Sequence, residues 1–348
     1  MLDRSFKARL LASALAVGFC ASLAEQSVAC TRLLFNAAGQ PVVMARTMDL
    51  FMNDQAKLVS RPRGTSYTSP DTENAASWTA RYGSVVMTAL NFATSDGINE
   101  KGLVANLLYL DKSAYEPSDG RKAVSVAVWA QYVLDNFATV QEAVDNFPSV
   151  RIVPVHTAGH DWPMHLSLQD ASGDSAVIEF VDGKPVIHHG REFTVMTNEP
   201  PLETQLANLK RYKLFGGQLA LPGDIDPQDR FVRVASFAKM LPKQETPGDA
   251  VASAVNIVRT ALNPEGAIDT SGHDNSTDAW PTRWISAADL ANRIYYVQST
   301  KSPFGIWVDL NKIDFQSGAP SKSVDVYDAR LSGDVTARLT AAGETIAK

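Results

Sequence analysis

The stretch SVACTRLLFN, Ser27 to Asn36, sets a cysteine directly after a small-residue tripeptide and directly before a strand-like run. Upstream lie a basic start (Arg4, Lys7, Arg9), the short apolar run LLASALAVGFCASLA and the small-x-small site SVA, which together read as a secretory leader cut after Ala29. The apolar run is too short to span a bilayer. The reading predicts a signal peptide over residues 1–29, periplasmic localisation, and one mature domain over residues 30–348 that opens on Cys30. Cys20 leaves with the leader, so Cys30 becomes the sole thiol and forms no internal disulfide in an oxidising compartment.

With 45% hydrophobic residues, the chain has ample material for a large core. The leader's three basic residues outweigh Asp3 and Glu25 by one charge, so its loss turns the formal −6 into −7. A mildly acidic chain without Lys/Arg runs argues against nucleic acid and anionic membrane surfaces as partners, because both are bound through basic patches. No later stretch reads as membrane-spanning.

Working outward from Cys30, TRLLFNAAGQPVVMARTMDLF reads as a hairpin turning at Gly39-Gln40-Pro41. ARYGSVVMTALNF and GINEKGLVANLLYL read as further buried strands, with a turn expected around Asp96-Gly97. In AVSVAVWAQYVLDNF the period changes, and Val124, Val128 and Tyr132 fall on one helical face; Thr139 with Glu142 forms a capping box for a second helix. MHLSLQDASGDSAVIEFVDGKPVIHH is a meander with turns at Ser172-Gly173 and Asp182-Gly183. Helical patterns return in LETQLANLKRYKLF, RFVRVASFAKML and DAVASAVNIVRTAL, and strands in RIYYVQST and FGIWVDL. Blocks of like elements without βαβ alternation predict an α+β fold of antiparallel sheets with helices on their outer faces. The segments from Ser60 to Ser77 and from Asn263 to Trp284 read as long loops of functional length.

Cleavage after Ala29 would leave Cys30 with a thiol and a free α-amine on one Cα. An α-amine titrates near pH ~7.7–8, close to the ideal for a general base at neutral pH, so one residue supplies nucleophile and base. A competing reading makes Cys30 a lipid-anchor site of a binding protein or degenerate acylase. Such signals generally place an aliphatic residue three before the cysteine, where this chain has Ser27. A merely buried structural thiol fits poorly at a chain terminus.

ACTR at the cut end, ARTMD, GINEKGL, VMTNEP and LPGDIDPQDRFVR, in that order, resemble the choloylglycine hydrolase family of N-terminal nucleophile hydrolases, and within it the penicillin V acylases of Gram-negative bacteria. The resemblance implies an αββα four-layer sandwich, hydrolysis of a linear amide in a small-molecule acyl substrate, and a homotetramer. It implies Cys30 as nucleophile and base, Asp49 holding its amine, and Arg46 beside the thiol. Asn198 would donate its side-chain amide to the oxyanion, with the backbone N–H of Leu108 as second donor, and Arg230 would close the charged network. The implied substrates are penicillin V or N-acyl homoserine lactones, with conjugated bile acids as the alternative. Where those acylases carry tryptophans in the acyl pocket, this chain has Leu50 and Tyr109, which predicts a pocket that stays apolar but lacks indole surface.

No cofactor or metal is called for. His156, His160 and His165 lie among prolines without helical spacing, and His188-His189 point to opposite faces of a strand. Asp224, Asp226 and Asp229 lack the glycine and glutamate of a calcium loop and read as a helix cap. Serine-hydrolase and nucleotide-binding motifs are absent from the sequence.

Overall fold

The hairpin that opens on Cys30 forms as the sequence predicts: in the computed structural model, which describes residues 30–70, 72–267 and 280–341, strand Thr31–Phe35 pairs antiparallel with Val43–Asp49, from Thr31↔Thr47 to Phe35↔Val43. Every residue of both strands is buried, the charged Arg32, Arg46 and Asp49 among them, so both faces of the hairpin are covered.

Among the described residues two large sheets carry the fold. One runs Val195–Met196, Thr31–Phe35, Val43–Asp49, Thr282–Asp289, Ile294–Ser299, Ile306–Asp309 and Gly333–Asp334. The other runs Lys184–His189, Ser175–Val181, Met164–Gln169, Val104–Tyr109, Ala93–Asn99, Ser84–Ala89, Lys57–Arg61, Lys322–Asp325 and Thr340–Ala341. Apolar residues of both sheets, among them Leu33, Val43, Met87 and Val177, share one core. Helices α1 (Val126–Asn136) and α2 (Val140–Asn146) cover the second sheet through a separate core. Helices α3 (Leu202–Leu209), α4 (Pro227–Met240) and α5 (Pro247–Arg259) lie on the first sheet's side. The architecture is the expected αββα sandwich.

Local differences have identifiable causes. Asp96-Gly97 is not a turn but lies inside the Ala93–Asn99 strand. A Cβ on Gly97 would meet Val85 O at 2.8 Å and Leu134 Cδ1 at 3.0 Å, so glycine stands there for close packing under α1. The turns fall instead at Leu90-Asn91, both with positive φ, and at Gly102. Val124 belongs to a short strand, Lys122–Ser125, and α1 buries Val126, Trp129, Ala130, Val133 and Leu134, not the face of Val128 and Tyr132. α2 starts as read, with Thr139 Oγ1 accepting the Glu142 N–H at 3.1 Å. The segment from Ser60 to Ser77 is no plain loop, since Ser66–Thr68 pairs with Ser77–Thr79.

Thr282–Asp289 was not legible as a strand. Its Ser286, Ala287 and Ala288 are small, with low strand propensity, yet they are fully buried beside Val43–Asp49 in the middle of the first sheet. Packing, not propensity, decides that element.

Candidate active site

Cys30 heads the second strand of the first sheet and is 4% exposed. The hairpin register that pairs Thr31 with Thr47 carries Asp49, two residues on, alongside Cys30. The Asp49 N–H lies 3.5 Å from the sulfur, and the thiol faces Asp49 O at 3.8 Å. Arg46, on the same strand, reaches across to the second sheet. Its Nη2 stands 3.5 Å from Cys30 Sγ, and its Nη1 donates to Ser95 O at 3.0 Å and Leu107 O at 3.1 Å, with the guanidinium over the Trp284 ring at 5.2 Å. The ladder between Ala93–Asn99 and Val104–Tyr109 ends at Asp96↔Asn106. The two carbonyls one step beyond, Ser95 and Leu107, face this one guanidinium, which wedges the strands apart.

Asn198 and Arg230 close over the other side of Cys30. Arg230, in the first turn of α4 and fully buried, donates through Nη1 to Cys30 O at 2.8 Å and Thr31 Oγ1 at 2.6 Å, and through Nη2 to Asn198 Oδ1 at 3.1 Å. Asn198 Oδ1 also accepts the Cys30 N–H at 2.5 Å, while Nδ2 donates to Tyr109 O at 2.7 Å. Two donors on one side and a carbonyl on the other fix the orientation of this amide. The group on the Cys30 nitrogen is thus the Asn198 oxygen, where the Asp49 carboxylate was expected. Asp49 Oδ2 meets Thr47 Oγ1 at 3.2 Å, and its Oδ1 is buried without a hydrogen-bond partner.

The strand geometry also corrects the expected backbone donor. Backbone groups of successive strand residues turn to opposite edges. Leu108 is registered with His165, and Leu110 N–H, two residues on, donates to Pro163 O at 3.0 Å, so the Leu108 N–H faces the Met164–Gln169 strand. The Leu107 and Tyr109 carbonyls face the other edge, toward Arg46 and Asn198. The N–H on the Asn198 side therefore belongs to Tyr109, one residue later than read.

Burial pushes the Cys30 thiol above its ordinary pKa; Arg46 pulls it down, the Asp49 carboxyl pushes it up, and the Asp49 N–H and Arg230 pull it down. Burial also lifts Asp49 to about 7 against the pull of Arg230, of hydrogen bonds from Thr282 and Thr47, and of Arg46. Glu199, beside Asn198, is lifted to about 7 for the same first reason, and neither of its oxygens has a hydrogen-bond partner.

Above the sulfur opens a cavity lined almost wholly by apolar side chains, with Leu50 and Tyr109 both on its wall. It does not lack indole surface as expected: Trp162 and Trp280 line it as well. Phe51 stacks with Trp162 at 6.3 Å and packs on Trp280 at 4.9 Å, and Tyr109 lies 5.8 Å from Trp280. Trp280 belongs to the long segment read as functional, whose residues 268–279 fall outside the described part. Trp162 stands in HDWPM, between the histidines weighed as metal ligands; the available signal was an aromatic flanked by rigid turn residues, not the histidines themselves.

Each described histidine has a side-chain neighbour, His188 included, 3.7 Å from Glu179 Oε2. His156 pairs with Asp161, His160 packs on Phe51, His165 meets Glu179 in the core, and His189 meets Asp174. Among the described residues no group of acidic, histidine or cysteine side chains is arranged to hold a metal ion, and no helix is long and apolar enough to cross a membrane. Asp226 caps α4, accepting the Gln228 N–H at 2.7 Å.

A cysteine at the head of a buried strand, in a sandwich of two largely antiparallel sheets between helical layers, is the architecture of the N-terminal nucleophile hydrolases. The chain belongs to the choloylglycine hydrolase family of linear amide C–N hydrolases, whose family profile matches residues 30–324. It is 37% identical to a penicillin V acylase of Pectobacterium atrosepticum, over 88% of this chain and 90% of that one. It is 25% identical to a bile salt hydrolase/transferase of Clostridium perfringens, over 81% of this chain and 93% of that one. The solved structure of penicillin V acylase from Agrobacterium tumefaciens superposes with a TM-score of 0.81 at 37% identity, covering 91% of this chain and 99% of that one. By family, the protein is a hydrolase of linear amides.

Proposed function

We propose that Cys30 is the nucleophile of this hydrolase, set free as the first residue when residues 1–29 are removed on export to the periplasm, and that the substrate is penicillin V, an N-acyl homoserine lactone, or both. The observation that carries the reading is the thiol at the base of an aromatic-walled cavity, 3.5 Å from Arg46 Nη2, with its own nitrogen on Asn198 Oδ1. A family profile that begins at Cys30 supports a chain cut at that bond.

The chemistry follows from the groups present. With the bond to Ala29 gone, the Cys30 nitrogen is an amine that takes the thiol proton. The thiolate attacks the acyl carbon, and the electron pair of the C=O bond moves onto oxygen. That oxyanion receives the Tyr109 N–H and the second N–H of Asn198, whose first is held by Tyr109 O. The ammonium returns its proton to the leaving nitrogen, the C–N bond breaks, and a thioester remains on Cys30. Water, deprotonated by the same amine, adds to the thioester and releases the carboxylic acid and the thiol. Arg46 offsets the charge on sulfur, and the unpartnered Asp49 Oδ1 beside it is an acceptor for the ammonium. Leu50 and Tyr109 belong to the acyl-binding wall, and assembly as a homotetramer is proposed on family resemblance.

Intact-mass measurement on exported protein tests the first step: the reading requires Cys30 as residue one with a free amine, and a thioether lipid on Cys30 would replace it with a tethered binding protein. A panel of penicillin V, glycocholate and acyl homoserine lactones, ranked by kcat/KM, tests the second; preference for glycocholate would overturn the substrate proposal.

A further inference from the structure

We propose that the acyl chain of the substrate passes through the second sheet, between strands Ala93–Asn99 and Val104–Tyr109, with its tip against the first turn of α1, and that the site therefore selects straight aliphatic acyl groups over branched or aryl ones. The proposal rests on the acyl-amide reading above and adds where the chain goes.

Three observations carry it. The cavity that holds Cys30 and Leu50, members of the core between the sheets, is also lined by Leu107 and Val126, members of the core under α1, so it opens on both faces of the sheet. A closed ladder would forbid that, but pairing stops at Asp96↔Asn106, and the Arg46 guanidinium holds the Ser95 and Leu107 carbonyls as a wedge. The side chains lining the passage at its far end are small, Ala93, Thr94 and Ala127. A gap between two strands with alanines at its end accepts the cross-section of a methylene chain and excludes a ring, which within the proposed function favours an N-acyl homoserine lactone over penicillin V. Arg46 takes both carbonyls at the break, so an apolar chain can lie there without stranding either of them.

The test fills the far end. Ala127→Leu adds three carbons where the tip of a long chain would sit, and Val126→Ala removes two; both are compared with the native enzyme on a series of straight-chain N-acyl homoserine lactones from butanoyl to dodecanoyl. Each buried methylene gained or lost changes kcat/KM by roughly fourfold. Ala127→Leu should lower the dodecanoyl-to-butanoyl ratio of kcat/KM by about tenfold or more, and Val126→Ala should move the preferred length upward. Equal scaling of all chain lengths in both variants would overturn the path. Calorimetric titration with dodecanoate separates this from the hydrolytic reading. If the native protein cleaves no acyl amide yet binds dodecanoate and loses it in Ala127→Leu, the path stands and the reaction falls. If neither variant changes dodecanoate affinity, the path falls whatever the reaction.

Discussion

Asn198 offers the sharpest separation of structure from chemistry, because its two side-chain atoms have different partners. In Asn198→Asp one carboxylate oxygen keeps the place of Oδ1 and still accepts from the Cys30 nitrogen and from Arg230, now with charge assistance. The other replaces Nδ2 and brings a lone pair against Tyr109 O where a hydrogen bond of 2.7 Å stood. The variant folds, with a melting temperature within a few degrees of the native one, but no side-chain donor remains for the oxyanion. Loss of one such donor lowers kcat by roughly 10²–10³. Asn198→Leu removes all three bonds: two between neutral groups at about 1 kcal/mol each, and one to a buried guanidinium at about 1.5–3 kcal/mol, so stability falls by roughly 3–5 kcal/mol. For a domain of this size that is a melting shift of roughly 5–8 °C. The assay pairs calorimetric melting with initial rates of amine release on the best substrate of the panel. An aspartate variant within tenfold of native kcat would refute Asn198 as the oxyanion donor, and a leucine variant as stable as the native protein would refute the bond set described around it.

Cys30→Ala, expressed with the mature chain starting at that residue, should be inert while still binding substrate, and Cys30→Ser nearly so; burst titration and calorimetry check both. Arg46→Lys keeps a charge near the sulfur but cannot reach Ser95 O, Leu107 O and Sγ together, so kcat should fall at least tenfold and chain-length preference should blur in the same kinetic series. Leu50→Trp, on the cavity wall, should raise activity on phenoxyacetyl amides relative to long aliphatic ones, and an unchanged ratio would take Leu50 out of the pocket. Asp135, buried under Trp78 and Gln131, is lifted by burial from 3.8 to about 7. Between those values the folded state holds a proton that the unfolded state has lost, so its contribution to stability is full below about pH 3.8, declines as pH rises toward 7, and is constant above. Asp135→Asn should flatten that part of the melting-temperature profile measured from pH 4 to 8.

What the sequence showed and what it hid divide along one physical line. The N-terminal hairpin, the meander from Met164 to His189 and the cap at Asp226 were legible because local chemistry fixes them: buried runs, turn residues, a carboxylate ahead of a first turn. Thr282–Asp289 was hidden because Ser286, Ala287 and Ala288 carry little strand propensity, and its place between Val43–Asp49 and Ile294–Ser299 is set by tertiary packing. Site residues on the hairpin that opens on Cys30 could be brought near it by counting register. Asn198, 168 positions away, and Arg230, 200 positions away, came only through family resemblance. The error at Leu108 was one of parity, since motif spacing names a neighbourhood whereas the edge to which a peptide N–H turns depends on which strand lies there. Trp162 and Trp280 reach the pocket from loops, so no periodicity pointed to them.

Arg46 ties the chemistry to the recognition in a way that neither role alone explains. A charge beside the sulfur needs only one cationic atom near it, and a lysine would serve. A planar guanidinium with donors in a fixed fork reaches the thiol from Nη2 while Nη1 bridges two carbonyls of the opposite sheet and the ring system of Trp284 covers its face. The distance between Cys30 and the break in the second sheet is therefore set by one rigid group. An acyl carbonyl placed for attack then has its first methylenes aimed at the gap which that same group keeps open, so reactivity and chain shape are selected together. In a sandwich whose sheets were joined by apolar packing alone, the sheet opposite Cys30 would close its ladder, and the acyl group would have to leave along the plane between the sheets.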